Sequence, residues 1–375
     1  MYEYDTDETT SPLRHFVGLP DDSLLVLGAR RSPPVISPIA NTNTSISIST
    51  SVGFSQLSVS SYVQATSILR PDIVVGLGDV PYGAEKVSRK KTDKVNDRTL
   101  AWMKQQLEAS TQRQSEGSAH TKPCLFAPIL PLPIDSQRWY LDNLMKDLKH
   151  NADGLAIYDS SSLADLPPEL HRLPKLCLTT PRTPHHLLRE ISLGADILTI
   201  PFISEATDAG IALDFSFPPP PPTTPPSPIS LGIDMWHPTH AISLSRLSSG
   251  CECYTCATHH RAYIQHLLSA KEMLGWVLLQ IHNHAILDRF FAGVRDSLAA
   301  GTFELDRAAF QSVYEPELPA KTGLGPRVRG YQYRSEGPGE VKRNAAAYKN
   351  FDVGVVDAGI DAPILAEKGL GEETS

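Results

Sequence analysis

From Asp72 onward, short continuous apolar runs alternate with longer stretches whose apolar positions recur at three- and four-residue spacing. The short runs are Asp72–Leu77 (DIVVGL), Cys124–Leu130 (CLFAPIL), Gly154–Tyr158 (GLAIY), Lys175–Thr179 (KLCLT) and Asp196–Phe202 (DILTIPF). Between them the spacing predicts helices around Asp97–Ala109, over Asp135–His150 and near Pro184–Ser192. Strands that are apolar on both faces and separated by helices are the mark of parallel βαβ units, because crossover helices cover both sides of the sheet. One further run, Ser23–Gly28 (SLLVLG), adds a sixth strand near Leu24–Leu27. The Pro- and Ser/Thr-rich sequence after it, through Val63, resists placement by pattern.

Six strands fall short of the eight in a closed (β/α)8 barrel. The expected fold is α/β, a TIM-type (β/α)8 barrel lacking its first strands. An open doubly wound sheet is the rival, but no G-x-G-x-x-G follows these strands, which leaves a dinucleotide-binding version without support.

Past Phe217 the pattern changes. Pro218 to Pro228 holds eight prolines in eleven residues, extended polyproline that reads as an inserted loop and stiff spacer. Helical periodicity then dominates over Thr258–Ser269, Lys271–Ala300 and Leu305–Tyr314. In the longest of these, Leu274, Val277, Leu278, Ile281 and Ala285 share one side, and Met273 to Ile281 is expected to form a buried helix face. The expected organisation is a partial barrel over 1–217, the Pro-rich loop over 218–230, a zinc-binding helical subdomain over 231–314 that completes the barrel, and a disordered tail over 315–375. A docking strand near Val353–Val356 is the one exception in that tail.

Composition narrows the class. With 31 prolines and 41% apolar residues, the 375-residue chain is expected to be partly unstructured. A net charge of −8 argues against a general nucleic-acid coat and leaves room for a local basic patch. The acidic opening MYEYDTDETT lacks the apolar core of a signal peptide, and no run approaches the ~20 apolar residues of a membrane span. A soluble intracellular protein is the expectation.

Five cysteines are too few for a secreted disulfide framework, and three of them, Cys251, Cys253 and Cys256, form a C-x-C-x-x-C cluster. Three thiolates on one turn leave a tetrahedral Zn2+ one ligand short. His282, after 25 intervening residues, stands where a helical hairpin would return it; His259, His260, His266 and His284 compete.

The segment Cys251–Phe303 resembles the zinc subdomain of the tRNA-guanine (queuine) transglycosylases. It carries their C-x-C-x-x-C-x25-H spacing, the Arg261-Ala262-Tyr263-Ile264 helix and the His282-Asn283 pair. PDIVVGLGDVPYG, KVSRKKTDKVNDRT, LGADILTIPF and GIALDFSF follow in the family's order, so the resemblance spans roughly Val17 to Phe303. It implies Cys251, Cys253, Cys256 and His282 as the ligands of one structural Zn2+ per subunit. It also implies that the family's opening barrel strands should precede Val17, where only sixteen residues stand.

Catalytic members attack the ribose with the second aspartate of a G-x-D-x-F-D segment, releasing the base by double displacement. The corresponding stretch, Gly194 to Thr199, keeps Asp196 and has Thr199 in the nucleophile's place. The similar Gly232–His237 stretch lies too near Cys251 to be that segment, and would offer His237 there. Where the family turns glycine backbone toward the base, this chain has Ile129-Leu130-Pro131 and Tyr158-Asp159, and bulky side chains prevent that approach. Asp79 corresponds to the family's acid/base aspartate, with a turn or cap as its plain alternative. Phe202–Gly210 lacks the basic loop residues of catalytic members. No catalytic residue is therefore assigned.

A retained fold and zinc site beside a lost nucleophile resembles the family's non-catalytic subunits. The expected role is accessory: a heterodimer with a catalytic homologue, paired through the zinc-side surfaces, in which one tRNA is held by both and guanine is exchanged for queuine at the wobble position. The candidate RNA contacts are Lys86, Arg89, Lys90, Lys91, Lys94 and Arg98, with a solvated helix start as the alternative. The two competing functions are an active transglycosylase with an atypical nucleophile and a zinc-dependent protein-interaction module. The implied location is the cytoplasm, with the mitochondrial outer face as a further station.

Overall fold

The computed structural model describes residues 11–50, 53–82, 87–115, 123–148, 152–221, 227–323 and 325–326. Helix α1 (Pro12–Val17) opens with Ser11 capping Arg14 N–H and Pro12 at its first position, and it closes on Gly18 in the left-handed region. Arg14 then reaches Asp72 at 2.6 Å, fastening α1 beside strand β1 (Val26–Leu27). The Ser/Thr-rich stretch that resists placement by pattern forms a hairpin, β2 (Ser45–Thr50) and β3 (Gly53–Ser58). Ile46 is buried and Ile48 half-buried under it, so alternation in SISIST was the available signal.

Helix α2 (Val59–Leu69) leads to β4 (Ile73–Val75) and α3 (Arg89–Ser115). Next come β5 (Cys124–Ile129), a short 3-10 turn at Ile134–Gln137, α4 (Arg138–Leu148) and β6 (Gly154–Ile157). The chain continues through β7 (Lys175–Cys177), α5 (Pro184–Ser192), β8 (Ile197–Leu198), α6 (Phe202–Asp208), β9 (Ile211–Leu213) and β10 (Gly232–Asp234). It ends in four helices, α7 (Tyr254–Thr258), α8 (Arg261–Ser269), α9 (Met273–Ala300) and α10 (Phe303–Val313).

The six strands expected from sequence form one parallel sheet in the order β1-β4-β5-β6-β7-β8. Each strand lies beside its neighbour in the sequence of βαβ units, as right-handed crossovers dictate. Its two faces are both apolar: Ile73, Val75, Phe126, Ala156 and Leu176 line one, while Val74, Leu125, Leu155, Ile157 and Cys177 meet Tyr62, Met103, Tyr140 and Leu144 from the helices on the other. Among the described residues the sheet stays open, with β1 and β8 at its edges.

The Pro-rich segment joins β9 to β10, which pair antiparallel as a separate two-stranded unit; residues 222–226 of it lie outside the described residues. This hairpin shares a core with α5, α6 and the C-terminal helices, including Phe215, Phe217, Phe290 and Phe310. The first residues of the expected tail run along this body: Glu315 N–H donates to Ile229, Leu318 packs on the core, and Thr322 hydrogen-bonds Asp234. From 327 onward the tail, with Val353–Val356, lies outside the described residues.

The apolar stripe expected to be buried on α9 is divided. Leu278 is buried, with Trp276, Leu279, Ile286 and Phe290, but Leu274 (45% exposed), Val277 (49%) and Ile281 (38%) face outward beside Met273. The first half of α9 is apolar nearly all round, and the intramolecular core covers only one side of it. No helix among the described residues is long and apolar enough to cross a membrane.

Candidate metal centre

The cysteine turn is shaped before any ion is considered. Gly250 takes φ +72°, a left-handed conformation that side chains disfavour, and turns the chain into Cys251. Cys253 is the N-cap of α7, and its Sγ accepts the Cys256 N–H at 3.4 Å. Thr255 anchors the turn by donating to the Leu278 carbonyl at 2.7 Å, one turn before His282 on α9. The His282 Nδ1 lies 3.7 Å from Cys251 Sγ, 3.7 Å from Cys253 Sγ and 3.4 Å from Cys256 Sγ. Cys251, Cys253, Cys256 and His282 form the one such metal-ligating group found among the described residues, their ligand atoms all within 4.8 Å of one another.

The three Nδ1–Sγ distances suit a tetrahedral ion, for which Zn–S of ~2.3 Å and Zn–N of ~2.0 Å imply edges of roughly 3.5–3.8 Å. His282 Nε2 lies 2.9 Å from the Leu213 carbonyl; donating there fixes the tautomer that leaves Nδ1 free to ligate. Burial pushes the Cys256 thiol up to about 12, raises Cys253 and lowers His282. Burial alone thus favours neutral groups, and a bound divalent cation reverses that preference for the thiols. The residues fit the group. Of the histidines in competition, His284 is exposed and bonds Gln280, and His260 caps α8 through Tyr263 N–H.

Asn283 was recognisable only as half of a motif; the structure gives it a task. Its Oδ1 accepts from Leu213 N–H at 2.8 Å, and its Nδ2 donates to Thr207 Oγ1 at 2.9 Å and Ile211 O at 3.0 Å. Two consecutive α9 residues therefore grip β9, one through each backbone group of Leu213.

The barrel mouth is different. Thr199, just past β8, donates its hydroxyl to the Thr179 carbonyl at 2.7 Å, with the Cys177 carbonyl at 3.2 Å. Asp196 is exposed and accepts the Lys175 N–H at 2.8 Å, joining β8 to β7. Leu130 is fully buried with Val80, Val95 and Leu132, and Tyr82 and Tyr158 pack around them as an apolar plug. Asp79, 6% exposed, has both carboxylate oxygens engaged, by Asn41 Nδ2 at 2.6 Å and Arg98 Nη1 at 2.9 Å.

The basic run is itself helical: α3 begins at Arg89, eight residues earlier than its periodicity indicates. Arg89, Lys90, Lys91 and Lys94 are exposed on its opening turns. Arg98 differs, being turned inward onto Asp79 and Asn43 with a side chain only 14% exposed. Lys86 lies outside the described residues. Arg30, which sequence reading passed over, stands across from this run at the end of β1, with its guanidinium 5.2 Å from the Tyr82 ring centre.

An open parallel βαβ sheet joined to a helical Cys3His group defines the class: a barrel-derived protein whose helical part carries four side chains that could hold a metal ion. The chain belongs to the queuine tRNA-ribosyltransferase family, whose model matches residues 2–316. It is 36% identical over 333 residues to the queuine tRNA-ribosyltransferase accessory subunit 2 of Schizosaccharomyces pombe, covering 87% of this chain and 72% of that protein. The accessory subunit 2 of Xenopus tropicalis is 28% identical over 342 residues, covering 79% of each chain. A queuine tRNA-ribosyltransferase of Symbiobacterium thermophilum is 52% identical over 64 residues, 17% of this chain and 16% of its own.

Proposed function

We propose that this chain is the non-catalytic, zinc-bearing subunit of a heterodimeric queuine tRNA-ribosyltransferase, supporting exchange of guanine for queuine at the tRNA wobble position. Thr199 carries the reading. The nucleophile's place holds a neutral hydroxyl already donated to a backbone carbonyl, and no carboxylate is among its hydrogen-bond partners. The apolar plug of Leu130, Val80 and Val95 supports it, since a base could not enter without displacing those side chains.

The partner is a catalytic member of the same family. Its docking surface is the outward side of α9, where Met273, Leu274, Val277 and Ile281 leave apolar area uncovered beside the metal centre. Zn2+ is the ion that Cys251, Cys253, Cys256 and His282 hold; when bound it clips the cysteine turn to α9 and does no chemistry on substrate. Lys90, Lys91 and Lys94 contact phosphates of the shared tRNA. The pair works in the cytoplasm, with the mitochondrial outer face as a second station.

Base exchange with labelled guanine or queuine and cognate tRNA tests the reading, run on this chain alone and with its catalytic mate. Turnover is expected only in the mixture, and Val277→Asp is expected to abolish it by preventing assembly. Turnover by the chain alone, surviving repurification, overturns the reading.

A further inference from the structure

At β1 the parallel sheet stops with its apolar pattern unfinished. Val26 stands in register with Ile73, which puts it on the face of Ile73, Val75, Phe126, Ala156 and Leu176. Those five are buried, yet Val26 is 37% exposed and Leu24, two positions before it in the alternation, is 55% exposed. The backbone is open there as well. Leu25 C=O accepts from Ile73 N–H, so Leu25 and Leu27 turn toward β4, and the N–H and C=O of Val26 point to the open side. Arg14 donates to the Ser23 carbonyl at 2.8 Å and holds α1 at the start of β1, where the end of that helix adds Phe16 and Val17, each more than half exposed. The opposite edge differs, because Leu198 on β8 already packs against both the sheet core and the helical body. A bare apolar edge of a parallel sheet is a template for one more strand.

The chain itself holds a segment that fits this edge. Within residues 327–375, which lie outside the described residues, Phe351–Val356 reads FDVGVV, with Phe351, Val353 and Val355 alternating with Asp352 and Gly354. In a strand that alternation lays three apolar side chains on the face of Val26 and leaves Asp352 and Gly354 on the other. Six residues cover ~20 Å of strand, enough for β1 and its flanks. The 24 residues between Pro326 and Phe351 reach up to ~80 Å when extended, against roughly 50 Å across a folded body of this size, so the tether permits the contact. We infer that Phe351–Val356 adds as a strand along the open side of β1, so that the chain's own tail covers the edge of its sheet. The inference goes beyond the accessory-subunit reading and does not rest on it, because it concerns the chain by itself.

Amide hydrogen exchange on the full chain, read by mass spectrometry over Leu24–Gly28 and Phe351–Val356, tests it. Val353→Pro with Val355→Pro removes two strand N–H groups and is expected to speed exchange at β1 by ~tenfold or more. Amides of β6, inside the same sheet, are expected to exchange as before, which shows that the fold is intact. Val353→Asp with Val355→Asp keeps both N–H groups and is expected to act as the proline pair does, since carboxylates cannot lie against Val26 without losing water. Leu24→Lys is the reciprocal variant on the folded body, and it is expected to speed exchange over Phe351–Val356 to a similar degree. Exchange at β1 that is indifferent to both tail variants overturns the inference. Protection at β1 that rises with protein concentration, together with a dimer in sedimentation, does the same and gives the edge to a second copy. Protection that appears only when a catalytic homologue is added also overturns it, and gives the edge to a strand of that partner.

Discussion

The metal centre and the barrel mouth are built from the same family plan, yet they have kept different things. At the metal centre every group is committed: three sulfurs and Nδ1 converge, Nε2 has its carbonyl, and Asn283 satisfies both backbone groups around β9 that His282 leaves over. At the mouth, polar groups that could do chemistry are tied to the scaffold, Thr199 to a carbonyl and Asp79 to Arg98 and Asn41, and apolar side chains fill the remaining space. A site whose task is to hold two elements together tolerates no missing member. On the reading proposed, the mouth's chemistry resides in the partner, so it can lose its nucleophile and still close over as ordinary core.

The largest effect should come from removing one ligand. Cys256→Ser leaves two thiols and a histidine in a buried turn, and it is expected to abolish stoichiometric metal content and lower stability by about 4 kcal/mol or more. Metal analysis with thermal unfolding, with and without chelator, checks it. If the variant keeps its ion and its melting temperature, the centre is no more essential than the mouth and the contrast fails.

Asn283→Ala sharpens the same contrast one step out. It strips a partner from Leu213 N–H and Ile211 C=O, both buried, so a loss of about 2–4 kcal/mol is expected while the four ligands remain. Denaturant unfolding with metal analysis on one sample separates this from ligand loss: stability falls and metal stays near stoichiometric.

These two residues also show what the sequence made legible. The three thiolates could be read because their spacing puts them on one turn, His282 only because the family resemblance picks it from competing histidines, and the parallel strands because burial on both faces leaves continuous apolar runs. The role of Asn283 could not be read, since it depends on a strand about seventy residues away. The early start of α3 was hidden because Arg89, Lys90 and Lys91 make an unfavourable helix opening with no acidic residue in the first turn. Helix α7 went unread because it is a short segment inside the cysteine turn, and α8 starts at Arg261 rather than Thr258 because His260 caps it, a role that depends on backbone geometry rather than on composition. The outward stripe on α9 has the same periodicity as a core face; only the placement of the other helices reveals which side is covered.

Glu190 on α5 is 5% exposed, with the Thr179 and Ser160 hydroxyls beside its carboxyl. Burial raises its pKa above the ordinary carboxylate value. A raised folded-state value means a contribution present below the unfolded pKa and lost as pH rises through the folded one, so at neutral pH the ionised or proton-binding carboxyl works against folding. Glu190→Gln is expected to raise stability by about 1 kcal/mol at pH 7 and to give no such gain near pH 4. Urea unfolding at the two pH values checks it, and a gain that is equal at both would show packing, not charge, to be responsible.

The smallest effect is expected at the residue most exposed to functional suspicion. Thr199→Val keeps the branched shape and removes a hydroxyl that donates to the Thr179 carbonyl at 2.7 Å, so it should cost only about 1 kcal/mol. With the catalytic mate present, base exchange should run at the unchanged rate, because on the reading proposed the hydroxyl never meets the ribose. Thr199→Asp is the stricter variant. A carboxylate there would face the Thr179 and Cys177 carbonyl oxygens, which repel it, so it should fold less stably and still give no turnover by the chain alone. A single-residue gain of activity would mean that the mouth had lost only its nucleophile; failure of that variant beside an unaffected Thr199→Val means that the apolar plug and the committed Asp79 had closed the site as well.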